Sequence, residues 1–455
     1  MSEHYHFAAD TPFEIRGFNM CESLLRHTPE QLRRFLRRMK SLDFNSIIIH
    51  YDYGWKRYKD IIIEECRNAG VEITLMTFGP RSFYSMVPWS ENWFAKDESG
   101  APFTRRPECE THPCAFAPGA LDAFEEGAYR WLKELPPEIK RVHMRAGDGH
   151  GFCLCPRCRV LPPKERWQPF VERFVRAVSR ISSPPAIETD IYYLRYELPE
   201  DQTAHKKLDR IMYDPFPRSP LFPLEGDPRA PEVHRELVNN LENWCRLAPG
   251  RVYIHENAMK QSFFSVFQHG TGAAVADLNT FRRLGVAGVC YEAYEPGYHT
   301  FAEMFEILSG ALKGRETVVE FPGEMRDSIL KDGSMAWGFG SSNDFRRFTS
   351  DPAVLKNIEM VRQMYFGTID RKFFLEYSDF LLENRDKMDW IYGCCSVMKQ
   401  ALRRGISLKF KELSPLAADF STRKKLWDFM EDIPMTEDPL TVCFNVIAEL
   451  RSAML

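Results

Sequence analysis

No apolar run in this chain approaches the length needed to cross a bilayer, so a helical membrane protein is not expected. The opening Met1-Ser-Glu-His-Tyr-His-Phe7 lacks a basic segment followed by an apolar stretch. No secretory signal is therefore read there, and a cytoplasmic location is expected. Charge of one sign is also scarce: the formal net charge is −4 over 455 residues. That balance implies no broad attraction to nucleic acid or to an acidic membrane, and neither is expected as a partner. Internal repeats and low-complexity tracts are missing. So is a glycine-rich phosphate loop after the first predicted strand, which argues against a doubly wound nucleotide-binding sheet. No organic cofactor is expected.

The composition that remains is 44% hydrophobic and 27% charged, as in ordinary soluble globular proteins. Aromatic residues make up 13%, which is compatible with sugar-stacking clefts and equally with core packing. In a reducing compartment the 12 cysteines are mostly free thiols, and close clusters read as metal or redox sites before disulfides.

Short apolar runs alternate with helical patterns, the signature of a parallel α/β fold. Strands are predicted at 14–20, 46–52, 71–77, 141–144, 186–194, 210–213, 251–255 and 286–291. Thr28-Pro29 opens a helix after the first, with Thr28 as N-cap and Pro29 at the first helical position. The segment between the fifth and sixth strands is too short for a good crossover helix. Eight strands in about 300 residues fit a (β/α)8 barrel with an irregularity there. We expect that barrel over 1–315 and a helical C-terminal domain over 316–455.

Polar residues that end apolar strands point into the mouth of such a barrel. Asp148 follows the fourth strand in Gly147-Asp-Gly-His150-Gly. It is the candidate general acid of a glycoside hydrolase, and equally a turn aspartate, since Asp-Gly is a common turn pair. Glu256 and Glu292 follow the seventh and eighth strands and are the candidates for base or nucleophile, Glu292 slightly favoured. Arg16 on the neighbouring first strand could neutralise Glu292. Arg16, His50, Asp52, His150, Tyr193, His255 and Tyr291 are candidate substrate-binding residues. The bland alternative is that several of these are structural groups near the barrel ends.

Cys153, Cys155 and Cys158 begin five residues after Asp148 and offer three thiolates, and tetrahedral zinc wants a fourth. Cys109 and Cys114 lie in the long excursion after the third strand, at the same barrel end, and either could close the site. The alternatives are a set of buried free thiols, or one Cys155–Cys158 disulfide in an exported relative.

Several segments carry a resemblance. Pro88-Trp-Ser-Glu-Asn-Trp-Phe94, then Gly100, Cys109 and Pro113, then Gly147-Asp148 with its cysteines, resemble a domain-of-unknown-function family of glycosidase-like barrels. Its relatives resemble α-glucuronidases and hexosaminidases, and some are endo-β-N-acetylglucosaminidases. Tyr213-Asp-Pro-Phe216 and Tyr365-Phe-Gly367 look like later signposts of that family. The spacing of Cys109, Cys153, Cys155 and Cys158 is similar to the zinc cluster of family-forty-two β-galactosidases. That likeness implies a structural zinc on those four residues, with Asp148 near the acid position. The chain departs from both patterns: it lacks the Asn-Glu pair of the galactosidases and the Asp-Glu pair of the hexosaminidases. The function expected is hydrolysis of a carbohydrate by paired carboxylates at the barrel mouth. The alternatives are a catalytically degenerate carbohydrate-binding barrel and a sugar-isomerase type of barrel enzyme.

Overall fold

A computed structural model describes residues 2–20, 28–88, 90–102, 113–147, 152–192, 195–219, 222–257, 271–292 and 298–322. Toward the C-terminus it describes 370–385, 433–434, 436–437 and 439–455, with scattered positions between 352 and 363. Strand β1 (Ser2–Phe7) precedes β2 (Ile15–Asn19), α1 (Pro29–Ser41), β3 (Ser46–His50), α2 (Lys56–Ala69) and β4 (Glu72–Phe78). Next come α3 (Arg81–Tyr84), α4 (Ala120–Lys133), β5 (Arg141–Arg145), α5 (Pro163–Ser179), β6 (Ala186–Tyr192) and α6 (Thr203–Lys206). Then follow β7 (Arg210–Asp214), α7 (Glu232–Leu247), β8 (Val252–Glu256), α8 (Thr271–Leu284), β9 (Gly288–Glu292), α9 (Tyr298–Leu312) and β10 (Thr317–Pro322).

Strands β2 to β9 close into a parallel barrel in sequence order, so the expected (β/α)8 architecture is present. Each predicted barrel strand is found, shifted by a few residues at most. The irregularity also falls where expected: the connection from β6 to β7 holds only the four-residue α6. Two strands were not anticipated. β1 pairs antiparallel with β10, from Ser2 opposite Pro322 to Phe7 opposite Thr317, as a separate ribbon beside α8. Beyond the barrel, α10 (Arg371–Glu383) packs on α11 (Pro439–Met454). No helix among the described residues is long and apolar enough to cross a membrane.

Local chemistry explains how the chain enters these elements. Thr28 Oγ1 accepts from the Gln31 amide at 3.2 Å, and Gln31 Oε1 accepts from the Thr28 amide at 2.8 Å. This reciprocal cap, with Pro29 behind it, starts α1. Gly17 on β2 faces the barrel interior, where an added Cβ would stand 2.6 Å from Cys290 Sγ and 2.8 Å from Ser46 O. The closure of β2 on β3 and β9 therefore needs glycine there.

The lumen is layered. Arg141 and Arg210 hold Glu72 at 3.0 and 2.8 Å near the N-terminal ends of the strands. Above them Ile15, Ile48, Met76, Met212, Tyr253 and Cys290 form an apolar plug. The outward residues of the barrel strands, among them Phe18, Ile49, Met144, Ile191 and Ile254, belong to the large core between strands and helices. Strand residues alternate between these two compartments. That alternation decides which terminal polar residue reaches the lumen.

Candidate functional site

Above the apolar plug the lumen turns polar. Ile48, Met212, Tyr253 and Cys290 face inward. The same period of two places His50, Asp214, His255 and Glu292 inward at the C-terminal ends of their strands. Val142 and Met144, and Ile187 and Ile191, face outward. The residues between and beside them, His143, Arg145, Glu188, Asp190 and Tyr192, therefore face inward. All of these groups are buried. Ionisable side chains are expensive to bury and gather where function needs them, so this is the candidate site.

Three hydrogen-bonded groupings organise it. In the deepest, Glu188 Oε1 accepts from Tyr253 Oη at 2.8 Å and stands 3.1 Å from His143 Nδ1. In the second, Asp214 Oδ2 stands 2.9 Å from His255 Nδ1, whose Nε2 stands 2.8 Å from Asn19 Nδ2. Asn257 Nδ2 donates to the other Asp214 oxygen. In the third, Asp190 Oδ2 lies 3.4 Å from Arg195 Nη2 and 3.8 Å from Arg145 Nε. Arg145 also reaches to 4.0 Å from Asp214 Oδ2, and its guanidinium stacks 4.5 Å from the Tyr192 ring. Burial pushes the Asp190 carboxyl up, but the Arg195 and Arg145 charges outweigh it and hold the group below its ordinary value. Asp190 is thus a carboxylate clamped by two cations.

The expected site residues divide. Glu292 ends β9 on the lumen side, 3% exposed, with Asn19 as its cross-strand neighbour on β2. His50 and His255 also face the lumen, His50 with its ring stacked at 5.6 Å on Tyr53. Asp52 lies in the irregular turn Tyr51–Trp55 after β3, where Ser82 Oγ donates to both its oxygens at 2.8 and 3.0 Å. Asp148, His150 and Tyr193 lie outside the described residues.

Three expectations are corrected. Glu256 ends β8 one residue after His255 and so points outward. It is 1% exposed, and its Oε2 accepts from Arg218 Nη1 at 2.7 Å, with Asp277 of α8 on the same guanidinium. Tyr291 likewise turns away from the lumen into the strand–helix core. Arg16 is at the wrong end of the barrel: it donates to Phe13 O at 2.7 Å and Asp43 O at 3.1 Å, and does not meet Glu292. Trp55 and Trp167, aromatic residues of the kind that can stack on a sugar, belong to the core instead.

Asp214 is the site residue that the sequence reading missed. It ends the run Arg210-Ile-Met-Tyr-Asp214, the same pattern that singled out Glu292. His143 and Glu188 sit inside strands and carried no comparable signal, and Asn19, which ends β2, was passed over as well.

A second cluster lies beside the mouth. Cys114, Cys153, Cys155 and Cys158 bring their sulfurs within 4.8 Å of one another, and these four cysteines could hold a metal ion. Among the described residues this is the one group of Cys, His, Asp or Glu gathered closely enough to do so. Cys109, expected as the fourth sulfur, lies outside the described residues. The sulfur that completes this group is Cys114, placed by its amide's 2.8 Å bond to Trp93 O and by the Phe94–Pro113 bridge before it. Cys114 Sγ is 3.8 Å from Cys155 Sγ and 3.7 Å from Cys158 Sγ. Four sulfurs held tetrahedrally at about 2.3 Å from a zinc ion stand roughly 3.8 Å apart, so the donor set fits. Hydrogen bonds from Cys114 and Cys158, then the amides of Lys96 and Cys155, pull the Cys153 thiol far down. Hydrogen bonds to Cys114 and Cys153, with burial, push the Cys158 thiol up.

Neither a protein-family model nor a curated protein sequence matches the chain. Solved structures similar to it include Gan42B, a GH42 β-galactosidase, at 9% identity and a TM-score of 0.47, covering 80% of this chain and 66% of that one. A GH138 enzyme targeting pectin rhamnogalacturonan II is 11% identical, with a TM-score of 0.41, over 98% of this chain and 58% of that one. A D-allulose 3-epimerase from Methylomonas sp. is 9% identical, with a TM-score of 0.36, over 67% of this chain and 97% of that one. Identities this low leave the chemistry to be read from the chain's own residues.

Proposed function

We propose that this chain is a glycoside hydrolase acting at the C-terminal mouth of its barrel. The observation that carries the reading is the set of buried carboxylates there: Glu292, Asp190 and Asp214 share one lumen with Arg145 and three histidines. Glycoside hydrolysis needs one carboxyl that protonates the leaving oxygen and one carboxylate that attacks or activates water. Asp190 is clamped by Arg195 and Arg145, and Asp214 is tied to His255 and Asn257, which suits groups that orient a site. We assign Glu292 as base or nucleophile and Asp148 as the general acid, the latter from its position after β5. Glu256 has no part in this chemistry. His50, Asp52, His150, Tyr193 and His255 remain the proposed substrate contacts.

We further propose that the four-cysteine cluster holds a structural zinc. Four thiolates leave no coordination position for substrate, so the ion braces the segment after β5 rather than entering the reaction. The test of the main reading is a panel of aryl glycosides, including galactosides, glucuronides and N-acetylhexosaminides. Hydrolysis of one of them, lost in Glu292→Gln, supports the reading. Saturable sugar binding without turnover on any would leave a carbohydrate-binding barrel instead.

A further inference from the structure

Asn19 is fully buried at the end of β2, and its Oδ1 accepts no hydrogen bond. Buried side-chain acceptors are seldom left unfilled, because the lost hydration is not returned. Three features define this atom's orientation. Asn19 Nδ2 can only donate, so His255 Nε2, 2.8 Å away, is the acceptor. A neutral imidazole with Nε2 as acceptor carries its proton on Nδ1, and that proton goes to Asp214 Oδ2 at 2.9 Å. Asn257 Nδ2 holds the other oxygen of Asp214. The chain Asn257–Asp214–His255–Asn19 thus commits the Asn19 amide nitrogen to His255 and leaves its carbonyl unpaired.

Asn19 is the cross-strand partner of Glu292, and both face the lumen. Neighbouring strands are separated by about 4.8 Å, so one ligand can touch both side chains. We propose that Asn19 is a specificity-determining residue that accepts a hydrogen bond from a hydroxyl of the sugar bound at Glu292. His255 and Asp214 are positioning residues that keep the amide from rotating. This inference rests on the hydrolase reading for the place of the sugar, and it names the group that recognises one ring hydroxyl beside the reacting carbon.

The test uses binding, which does not depend on turnover. The methyl β-pyranosides of galactose, glucose and mannose, with their monodeoxy forms, are titrated calorimetrically against the wild-type chain and Asn19→Ala. In the wild type, removal of one hydroxyl from the sugar that binds should weaken binding roughly 10- to 100-fold. In Asn19→Ala the same removal should cost nothing further. Equal losses in both proteins, or no binding of any of the sugars by the wild type, would overturn the assignment; equal losses would leave a buried water as the partner of Oδ1. Should Asn19→Ala fail to fold, His255→Gln keeps Asn19 and releases its amide, and the same discrimination should shrink. Nitrogen-15 spectra of the wild type should show His255 protonated at Nδ1, and the opposite tautomer would also overturn it. A chain that binds with this pattern and hydrolyses nothing would remove the hydrolase reading and keep the role of Asn19.

Discussion

His255 and Glu256 are adjacent in sequence and lie on opposite sides of the barrel wall. His255 Nδ1 stands 2.9 Å from Asp214 inside the lumen, while Glu256 Oε2 accepts from Arg218 at 2.7 Å in the layer between strands and helices. A residue that ends a strand reaches the mouth only when its place in the alternation is the inward one. The functional assignments depend on this parity.

Glu292→Gln should abolish hydrolysis with little change in thermal stability. Glu256→Gln should do the reverse, because it weakens a buried ion pair outside the site, at a cost of roughly 1–3 kcal/mol. Kinetics and thermal melts on the two variants are the measurement. Activity retained in Glu292→Gln would transfer the role to Asp190 or Asp214.

Asp148→Asn should lower kcat on an unactivated glycoside by on the order of 10²–10⁴, since an amide cannot protonate a leaving group. Near-ultraviolet circular dichroism should be unchanged. A glycoside with a good leaving group should recover most of the loss. Without that recovery, Asp148 is not the acid.

Protein purified without added metal should contain one equivalent of zinc by elemental analysis. Cys114→Ser should lose it and Cys109→Ser should keep it, because Cys114 supplies the fourth sulfur in the described cluster. Chelation should destabilise the segment after β5, read as faster proteolysis there. Metal lost from Cys109→Ser and kept in Cys114→Ser would reverse the ligand assignment.

Asp277 should make stability depend on pH. Burial pushes its carboxyl up to about 6; Arg218 pulls it back and the Glu256 charge adds to the rise. The folded value therefore lies above the unfolded one. The resulting stabilisation is fully present below about pH 4 and is lost as pH rises through about 6, an effect on the order of 2–3 kcal/mol. Denaturant melts across that range should show the slope in the wild type and not in Asp277→Asn. An unchanged slope in the variant would assign the dependence to another group.

The barrel was legible in the sequence because eight apolar runs alternate with amphipathic helices at all but one connection, and a parallel sheet leaves few other ways to cover both faces of its strands. The residues that end those runs were legible too, including Glu292 and His255; Asp214 obeyed the same rule and was passed over. The sequence could not say which phase of a strand points inward. Both faces of a parallel barrel strand are buried, so Val252-Tyr-Ile-His-Glu256 shows no polar face to set its parity. Closing the barrel put Tyr253 and His255 in the lumen and sent Glu256 out to Arg218. Tertiary structure also brought Cys114 to Cys153, Cys155 and Cys158, since cysteines contributed by separate excursions meet only once the strands that carry them lie side by side. It put Arg16 at the far end of the barrel from Glu292 as well, because adjacency of the first and last barrel strands says nothing of height along them.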